Sequence, residues 1–478
     1  MKEWITMMLG TIVRKTPAVG AQFISGAAKA LIARRDLGAT YHSVRTFIKN
    51  TQYGTAEEIR ALQLKKYQDI VHYAWEHCPG YREHWNGYGF SPEQLQTYSD
   101  IRRIPEVSKQ QIRDNLEKFS SPQKGNCKYI TTSGSMGIPL GLYLDRATES
   151  IELAFLHDMW EQKGFRPVKP SVIIRGARVQ GSYLGNPYAE LTLFGDLLLS
   201  AYHITRETAH LYLAAIKNFN PGYIQAYPSA LTQLTTTCLQ AGMSIEKHDI
   251  QAIILASEKL YDRDKEDLQQ FWRAPLIHFY GMTEKVILAG PCQSRDLFHV
   301  YPQYGLAEVI KEDGSEAAED EMGHLVGTSF FMKPTLFIRY RTGDWAVKGK
   351  NYCPDCKRHY PLLKEIVGRN AELIITKHHH KIPFSMAIGS IHNRLFHGMD
   401  QFQFTQDTVG KLTCKYVSSE EIPAWQQQAI AKDIRGKVGE HLEIGFQQVP
   451  IIPKSASGKV NFFKNELLDG GADEAGRL

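Results

Sequence analysis

Eleven consecutive residues, Thr131-Thr132-Ser133-Gly134-Ser135-Met136-Gly137-Ile138-Pro139-Leu140-Gly141, include three glycines, two threonines and two serines. A loop of this make-up can bring backbone N–H groups and hydroxyls around an anion without side-chain bulk in the way. No Gly-Lys-Ser/Thr follows, so it is not a Walker loop, and a flexible turn is its plain alternative. Three other stretches follow short apolar runs: Tyr227-Pro228-Ser229, Ala256-Ser257-Glu258 and Tyr280-Gly281-Met282-Thr283-Glu284. Tyr227 and Tyr280 offer flat faces for a purine, and Thr283 offers a hydroxyl for a phosphate. Glu258 and Glu284 offer the hard oxygens that suit Mg²⁺. In Arg341-Thr342-Gly343-Asp344-Trp345, Asp344 can accept from both hydroxyls of a ribose, although an Asx-turn would look the same. Pro453-Lys454-Ser455-Ala456-Ser457-Gly458-Lys459 is a second Gly/Ser loop, able to carry the positive charge of Lys459 to a transition state or to serve as a basic linker. Cys353-Pro354-Asp355-Cys356 has the spacing of a thiolate zinc knuckle; Cys292 and His299, spaced Cys-x6-His, are candidates to complete it. Two unligated surface thiols are the alternative.

These residues need elements to hold them. Tyr129-Ile130 and Leu140 to Leu144 read as strands on either side of the glycine loop, which makes it a hairpin. Helices are expected over Glu57 to Ala74, Lys109 to Phe119 and Arg146 to Lys163. From Ser171 the pattern alternates: strand Ser171 to Ile174, helix Arg206 to Phe219, strand Tyr223 to Ala226, helix Ser229 to Ala241. Strand Ala252 to Leu255, helix Asp262 to Trp272 and strand Leu276 to Phe279 continue it. Such alternation predicts a parallel sheet with right-handed crossovers, whose ligands lie beyond the carboxyl ends of the strands. The three stretches after those strands therefore point to a composite nucleotide pocket. Strands over Gly323 to Phe330 and Leu336 to Tyr340 lead into Asp344. Beyond Gly368-Arg369 a small α+β unit is expected, with strands at Glu372 to Thr376, Gln401 to Thr405, Lys411 to Tyr416 and Leu442 to Gln447. Its helices span Ser385 to Leu395 and Ala424 to Val438, and the run Lys377-His378-His379-His380-Lys381 reads as a solvated turn. The fold class is α/β: a large, multi-layer N-terminal domain of mostly parallel sheets, residues 1–367, and a small, mobile α+β domain, 368–478, carrying Lys459.

Bulk properties narrow the class. The chain has 478 residues, enough for two or three domains, and is 43% apolar and 22% charged, as globular proteins are. A net charge of +5 is mild over this length and gives no expectation of nucleic-acid binding. Seven scattered cysteines do not form a disulfide framework, and no apolar run is long enough to span a bilayer. The N-terminus is a poor signal peptide, so a cytoplasmic protein is expected. Residues 1–50 set Lys2, Arg14, Lys15, Lys29, Arg34, Arg35, Arg45 and Lys49 against Glu3 and Asp36, with Phe23, Ile24, Ala27, Leu31 and Ile32 interleaved. A surface helix packed on the body fits this segment better than a peripheral helix on an anionic inner membrane surface.

Five motifs in order, Thr131–Gly141, Tyr280–Glu284, Tyr340–Asp344, Gly368-Arg369 and Pro453–Lys459, resemble those of the adenylate-forming, acyl-CoA synthetase-like enzymes. The nearest resemblance is to the phenylacetate–coenzyme A ligase branch with its capsular-polysaccharide-associated members. It covers most of the chain and is weakest over residues 1–50. The resemblance implies a two-step ligase using ATP and Mg²⁺. A carboxylate, free or glycan-linked, becomes an acyl-adenylate with loss of pyrophosphate, and coenzyme A, an amine or a hydroxyl then displaces AMP. It also implies roles. Thr132, Ser133, Gly134, Ser135 and Gly137 would hold the β- and γ-phosphates. Tyr280 would stack on adenine, with Gly281, Ser257 and Glu258 beside the nucleotide. Thr283 would take the α-phosphate, Glu284 Mg²⁺, and Asp344 and Arg369 the ribose. Lys459 would bridge the carboxylate and α-phosphate oxygens. Departures from the pattern are Ala371 at the usual polar hinge, Lys357-Arg358 after the second knuckle cysteine, and no recognisable coenzyme A signature. The carboxylic acid would sit against the 176–203 excursion, where Tyr183, Tyr188, Phe194 and Tyr202 make either an aromatic wall or ordinary core. A catalytically inactive, nucleotide-binding partner protein is the rival reading; such a protein needs neither Glu284 nor Lys459.

Overall fold

The computed structural model describes residues 37–469 apart from 123, 124, 126, 133–139, 167, 168, 178, 193, 194, 246, 247, 293–295, 370–372, 379, 380, 385, 386, 388–392, 397, 439–441 and 455–460. It is a mixed α/β fold with several sheets and a separate C-terminal domain. Internal contacts divide it into two units: Ile32–Phe165 with Ile277–Ile366, and Arg166–Leu276 with Val367–Leu478. One cut thus falls beside Gly368, and residues 166–276 group with the C-terminal residues.

In the first unit, Thr55 starts the helix Ala56–His77 through a capping box. The Glu58 N–H donates to its hydroxyl at 3.2 Å, and Glu58 accepts from the Thr55 N–H at 2.8 Å. Ile59, Gln63, Tyr67, Ile70, Val71 and Ala74 form the buried face. The helix stops at Cys78, because Pro79 cannot continue it and instead opens the helix Pro79–Gly87. Helix Ala39–Thr51 buries Tyr41, Val44 and Ile48 and contacts Arg146–Glu161, where Arg45 pairs with Asp158 at 3.0 Å and with Glu161. Over these residues the basic N-terminal segment is therefore a packed helix; residues 1–36 lie outside the described ones. Helix Lys109–Asp114 is shorter than expected, ending where Asn115 turns back onto the Ile112 carbonyl.

The sheet of this unit runs in the order Tyr280–Gly281, Leu288–Pro291, Phe298–Val300, Leu362–Arg369, Tyr340–Lys348, Met322–Ser329, Gly305–Ile310. Tyr280–Gly281, Leu288–Pro291, Phe298–Val300 and Leu362–Arg369 pair antiparallel in succession, as do Gly305–Ile310, Met322–Ser329 and Tyr340–Lys348, and Val107–Ser108 adds parallel to Tyr340–Lys348. The expected strand Leu336 to Tyr340 does not form; the strand begins at Tyr340 instead, so the Arg341–Trp345 motif lies inside it. Between the pairs His324↔Trp345 and Val326↔Arg341, three residues of one strand oppose one of the other. This bulge is closed by the Thr342 hydroxyl donating to the Leu325 carbonyl at 2.7 Å, and Gly343 takes a φ of +84° that other residues rarely adopt. Asp344 is thereby lifted out of the ladder.

In the second unit, a six-stranded sheet runs Ala189–Leu191, Leu197–Ser200, Ser171–Arg175, Tyr223–Ala226, Ala252–Leu255, Leu276–His278. Its inner pairings are parallel, with helices Ala209–Phe219, Pro228–Gln240 and Asp262–Trp272 as connections. The polar excursion after Arg175 contains two strands that alternation alone does not reveal, the outer one antiparallel. Towards the C-terminus a second sheet has the order Glu443–Gln448, Lys411–Val417, Gln401–Thr408, Phe463–Asn465, with helix Ala424–Val438. Phe384, Phe404, Leu412, Cys414, Tyr416, Ile430 and Ile434 form its core, joined by Tyr261 from the residues before helix Asp262–Trp272. Lys377 and His378 are exposed in the turn between Leu373–Ile375 and Lys381–Pro383; His379 and His380 lie outside the described residues. So does most of the expected helix Ser385 to Leu395, of which Asn393–Phe396 is a 3₁₀ turn.

Candidate active site

Two tyrosine–carboxylate pairs organise the first unit's site. Tyr280 stands in the strand Tyr280–Gly281, and its hydroxyl donates to Asp344 Oδ2 at 2.5 Å. Burial and the neighbouring charges of Asp344 and Glu284 hold this phenol well above its ordinary pKa, so it stays protonated and remains a donor. The Asp344 N–H donates to the Thr342 hydroxyl at 3.0 Å, which fixes the backbone at the bulge. The second pair is Tyr340 and Glu284: the Tyr340 hydroxyl donates to Glu284 Oε1 at 3.1 Å, and both side chains are buried. The motif Tyr340–Asp344 assigns Tyr340 no task by itself; its signal in the sequence is a tyrosine that starts the strand carrying Asp344.

Thr283 and Glu284 lie in a tight turn closed by the Lys285 N–H on the Met282 carbonyl at 3.0 Å. Lys285 adopts a φ of +55°, a left-handed conformation that a non-glycine residue holds only against a cost, and its ammonium pairs with Glu152 at 2.6 Å. Gly281 is paired with Leu288 across the strand. The strands that flank the glycine loop pair antiparallel, Lys128–Thr131 with Gly141–Leu144; residues 133–139 between them lie outside the described ones. Thr132 is buried at the loop's base, where its hydroxyl accepts from the Leu140 N–H at 3.0 Å. Ser133, Gly134, Ser135 and Gly137 lie outside the described residues, as does Lys459. Arg369 is the last residue of the strand Leu362–Arg369.

In the second unit, Ser257 and Glu258 follow the carboxyl end of the strand Ala252–Leu255. Ser257 has a φ of +72°. Glu258 Oε2 accepts from the Ser229 N–H at 2.9 Å, at the first turn of helix Pro228–Gln240, where a carboxylate is favoured by the exposed N–H groups. Tyr227 precedes that helix, with its pKa raised by burial. Of the expected aromatic wall, Tyr183 is core, set edge-on to Phe219. Tyr188 stacks between His203, at 4.7 Å, and Tyr212, and the Tyr202 hydroxyl donates to the Gly176 carbonyl. Phe194 lies outside the described residues.

The four expected metal ligands converge. Cys292, His299, Cys353 and Cys356 have their donor atoms within 4.8 Å of one another. Cys292 Sγ is 3.8 Å from Cys353 Sγ and 3.6 Å from Cys356 Sγ. Thiolates 2.3 Å from a tetrahedral Zn²⁺ must stand about 3.8 Å apart, so the spacing fits the ion. His299 is 4% exposed and its Nε2 has no hydrogen-bond partner among the described residues. Burial, with the Arg358 charge nearby, pushes its pKa down to about 4, leaving a neutral ring with a lone pair to give.

Residues 374–466 match the model of the CapK C-terminal domain. Protein CapK of Staphylococcus aureus is 22% identical over 417 residues, 85% of this chain and 89% of that protein. A phenylacetate-coenzyme A ligase of Thermus thermophilus is 23% identical, covering 67% of this chain and 72% of that one. Among solved structures, a 2-hydroxyisobutyryl-CoA ligase in the postadenylation state, in complex with R3-HIB-AMP, superposes with a TM-score of 0.69 at 18% identity, over 87% of this chain and 91% of that one. This chain has the fold of the adenylate-forming CoA ligases, is a homologue of CapK and the phenylacetate-coenzyme A ligases, and carries a CapK C-terminal domain.

Proposed function

We propose that this chain is an ATP-dependent carboxylate ligase. A carboxylate oxygen attacks the α-phosphorus of ATP, the bond to the β-phosphate breaks, and pyrophosphate leaves with the electron pair. A thiol, amine or hydroxyl then attacks the acyl carbon; the bond from that carbon to the anhydride oxygen breaks, AMP leaves with the electron pair, and the acceptor loses its proton. The observation that carries this reading is the double tyrosine–carboxylate arrangement, Tyr280–Asp344 and Tyr340–Glu284. It fixes two carboxylates in defined directions. Asp344 presents acceptors to a ribose, a task that the motif resemblance would share with Arg369. Glu284 offers a buried oxygen for the Mg²⁺ that accompanies ATP and neutralises its phosphates. The Tyr280 ring would lie along the adenine, Thr283 would hold the α-phosphate, and residues 132–137 the β- and γ-phosphates. Lys459 would place a positive charge on the oxygens that gain negative charge in the first step. This work is positioning and charge neutralisation, the same terms that dominate phosphoryl-group chemistry elsewhere.

Coenzyme A as acceptor and a small-molecule acid as substrate accord with the phenylacetate-coenzyme A ligase relatives; a glycan-linked substrate and a part in surface-polysaccharide synthesis are the further version that the CapK likeness invites. Trapping with hydroxylamine tests the central claim, because an acyl-adenylate yields a hydroxamate. ATP, Mg²⁺ and a panel of carboxylic acids should give hydroxamate with at least one acid. Nucleotide binding without hydroxamate from any of them would favour the inactive, partner-protein reading instead.

We also propose that Cys292, His299, Cys353 and Cys356 hold a structural Zn²⁺. With all four positions taken by protein ligands, such an ion ties Cys353 and Cys356 to the strand Phe298–Val300 and leaves no open position for catalysis.

A further inference from the structure

Arg175 puts a cation on the six-stranded sheet at the point where the strand order reverses. It is the last residue of the strand Ser171–Arg175, which has Leu197–Ser200 on one side and Tyr223–Ala226 on the other, both parallel to it. The chain leaves this strand for the first neighbour and comes back to the second. The crevice that such a reversal opens lies beyond the carboxyl ends of the strands and is where sheets of this kind take ligands. Tyr227 follows Ala226, which pairs with Ile174, so Arg175 and Tyr227 stand side by side at that edge. Gly176 and Ala177 come next. The Ala177 N–H turns back onto the Arg175 carbonyl at 2.8 Å, and the Tyr202 hydroxyl donates to the Gly176 carbonyl at 3.2 Å. These two bonds hold the backbone that carries the guanidinium.

The acids around this sheet are engaged elsewhere. Glu190, 7% exposed, accepts from the Gln180 and Gly181 N–H groups, both at 2.9 Å. Asp196 accepts from the Ser171 N–H at 2.8 Å, at the opposite end of the strand. Glu258 accepts from the Ser229 N–H and attracts the Lys454 ammonium, which donates to the Ala201 carbonyl at 2.6 Å. Arg175 is exposed, and among the described residues its guanidinium has neither a hydrogen bond nor an ion pair. Its charge pulls on the Tyr227 phenol, but burial still holds that phenol above its ordinary pKa, so this neighbour stays protonated and adds no negative charge. A planar, permanently charged fork in a ligand crevice, beside two half-buried tyrosines, fits an oxyanion held by two parallel bonds, a carboxylate or a phosphate.

We propose that Arg175 determines specificity, selecting carboxylic acids that carry a second anionic group, carboxylate or phosphate, at the end away from the reacting carboxyl. This rests on the ligase reading above, in which the nucleotide lies beside Ser257 and Glu258. Those residues follow a strand two places from Ser171–Arg175, and two strand spacings are roughly 10 Å. The second anion therefore belongs on a spacer such as a ring or a short chain, not on the carbon next to the reacting carboxyl.

Matched para-substituted benzoates test this on the full chain: terephthalate and 4-(phosphonooxy)benzoate against 4-methylbenzoate. Binding is measured by calorimetry, and turnover by carboxylate-dependent exchange of pyrophosphate into ATP. Wild type should bind one of the two dianions at least about tenfold more tightly than 4-methylbenzoate, the factor expected of a hydrogen bond between charged groups, and kcat/KM of exchange should follow. Which of the two leads tells carboxylate from phosphate. Arg175→Met should remove the preference while 4-methylbenzoate stays within about twofold. Arg175→Glu should transfer it to the cation-bearing 4-(aminomethyl)benzoate, a swap that a merely structural arginine would not give. Equal affinity of the wild type for all the acids, or equal loss of methyl-bearing and dianionic acids in Arg175→Met, overturns the proposal. Dianion binding that depends on Arg175, with no exchange for any acid, overturns the ligase reading and leaves the anion site standing.

Discussion

Replacing Tyr340 by Phe deletes a single hydroxyl from the site and leaves the ring in place. The ring sits 5.0 Å from Phe337, edge to face, and is fully buried, so packing is retained. The hydroxyl donates to Glu284 Oε1 at 3.1 Å, and Glu284 is itself only 5% exposed. A hydrogen bond to a charged group in such a place is worth about 1.5–3 kcal/mol, and Phe leaves the carboxylate one donor short. That corresponds to about 10- to 150-fold in any equilibrium or rate that depends on how Glu284 is held. If Glu284 receives Mg²⁺ with ATP, Tyr340→Phe should raise the Mg²⁺ concentration needed for half-maximal acyl-adenylate formation by about tenfold, and saturating Mg²⁺ should recover most of the rate. Urea unfolding should show a lower midpoint by the same free energy. A variant whose Mg²⁺ dependence and unfolding midpoint both match wild type would refute the assignment of Tyr340 and weaken that of Glu284.

Other outcomes follow from the same structure. Purified protein should contain about one equivalent of zinc by elemental analysis, and Cys353→Ser should lose it; a metal-free protein of unchanged stability would overturn the zinc assignment. His157 is buried with its Nδ1 3.0 Å from the Tyr41 hydroxyl, and burial together with the Arg45 charge pushes its pKa down to about 4. The unfolded chain therefore takes up this proton first as pH falls. Stability is fully present above about pH 6.5 and lost towards pH 4, by about 3 kcal/mol in all. Urea midpoints measured across that window should fall in the wild type and flatten in His157→Leu; equal slopes would remove His157 as the cause.

Strands that end in chemistry were legible because alternation and helix length report on local burial. Ser171–Arg175, Tyr223–Ala226 and Ala252–Leu255 stand within a residue of where apolar runs between helices place them. The edge strands Ala189–Leu191 and Leu197–Ser200 were hidden by the glycines and polar residues around them. Around Asp344 the strand was misplaced for a definite reason. A bulge puts Thr342, Gly343 and Asp344 opposite one residue, and a turn-like tripeptide inside a strand reads as the end of one. The partners of Asp344 and Glu284 come from 64 and 56 residues away, distances over which spacing rules say nothing. The cysteine–histidine group was legible because Cys353 and Cys356 share one turn.

The central claim is that this chain activates a carboxylate with ATP, and carboxylate-dependent exchange of labelled pyrophosphate into ATP measures that step alone, without the acceptor. The account predicts exchange that requires Mg²⁺ and a matching acid and that falls about a thousandfold in Lys459→Ala while ATP still binds. ATP binding of ordinary strength with no exchange for any acid, or exchange undiminished in Lys459→Ala, would contradict it.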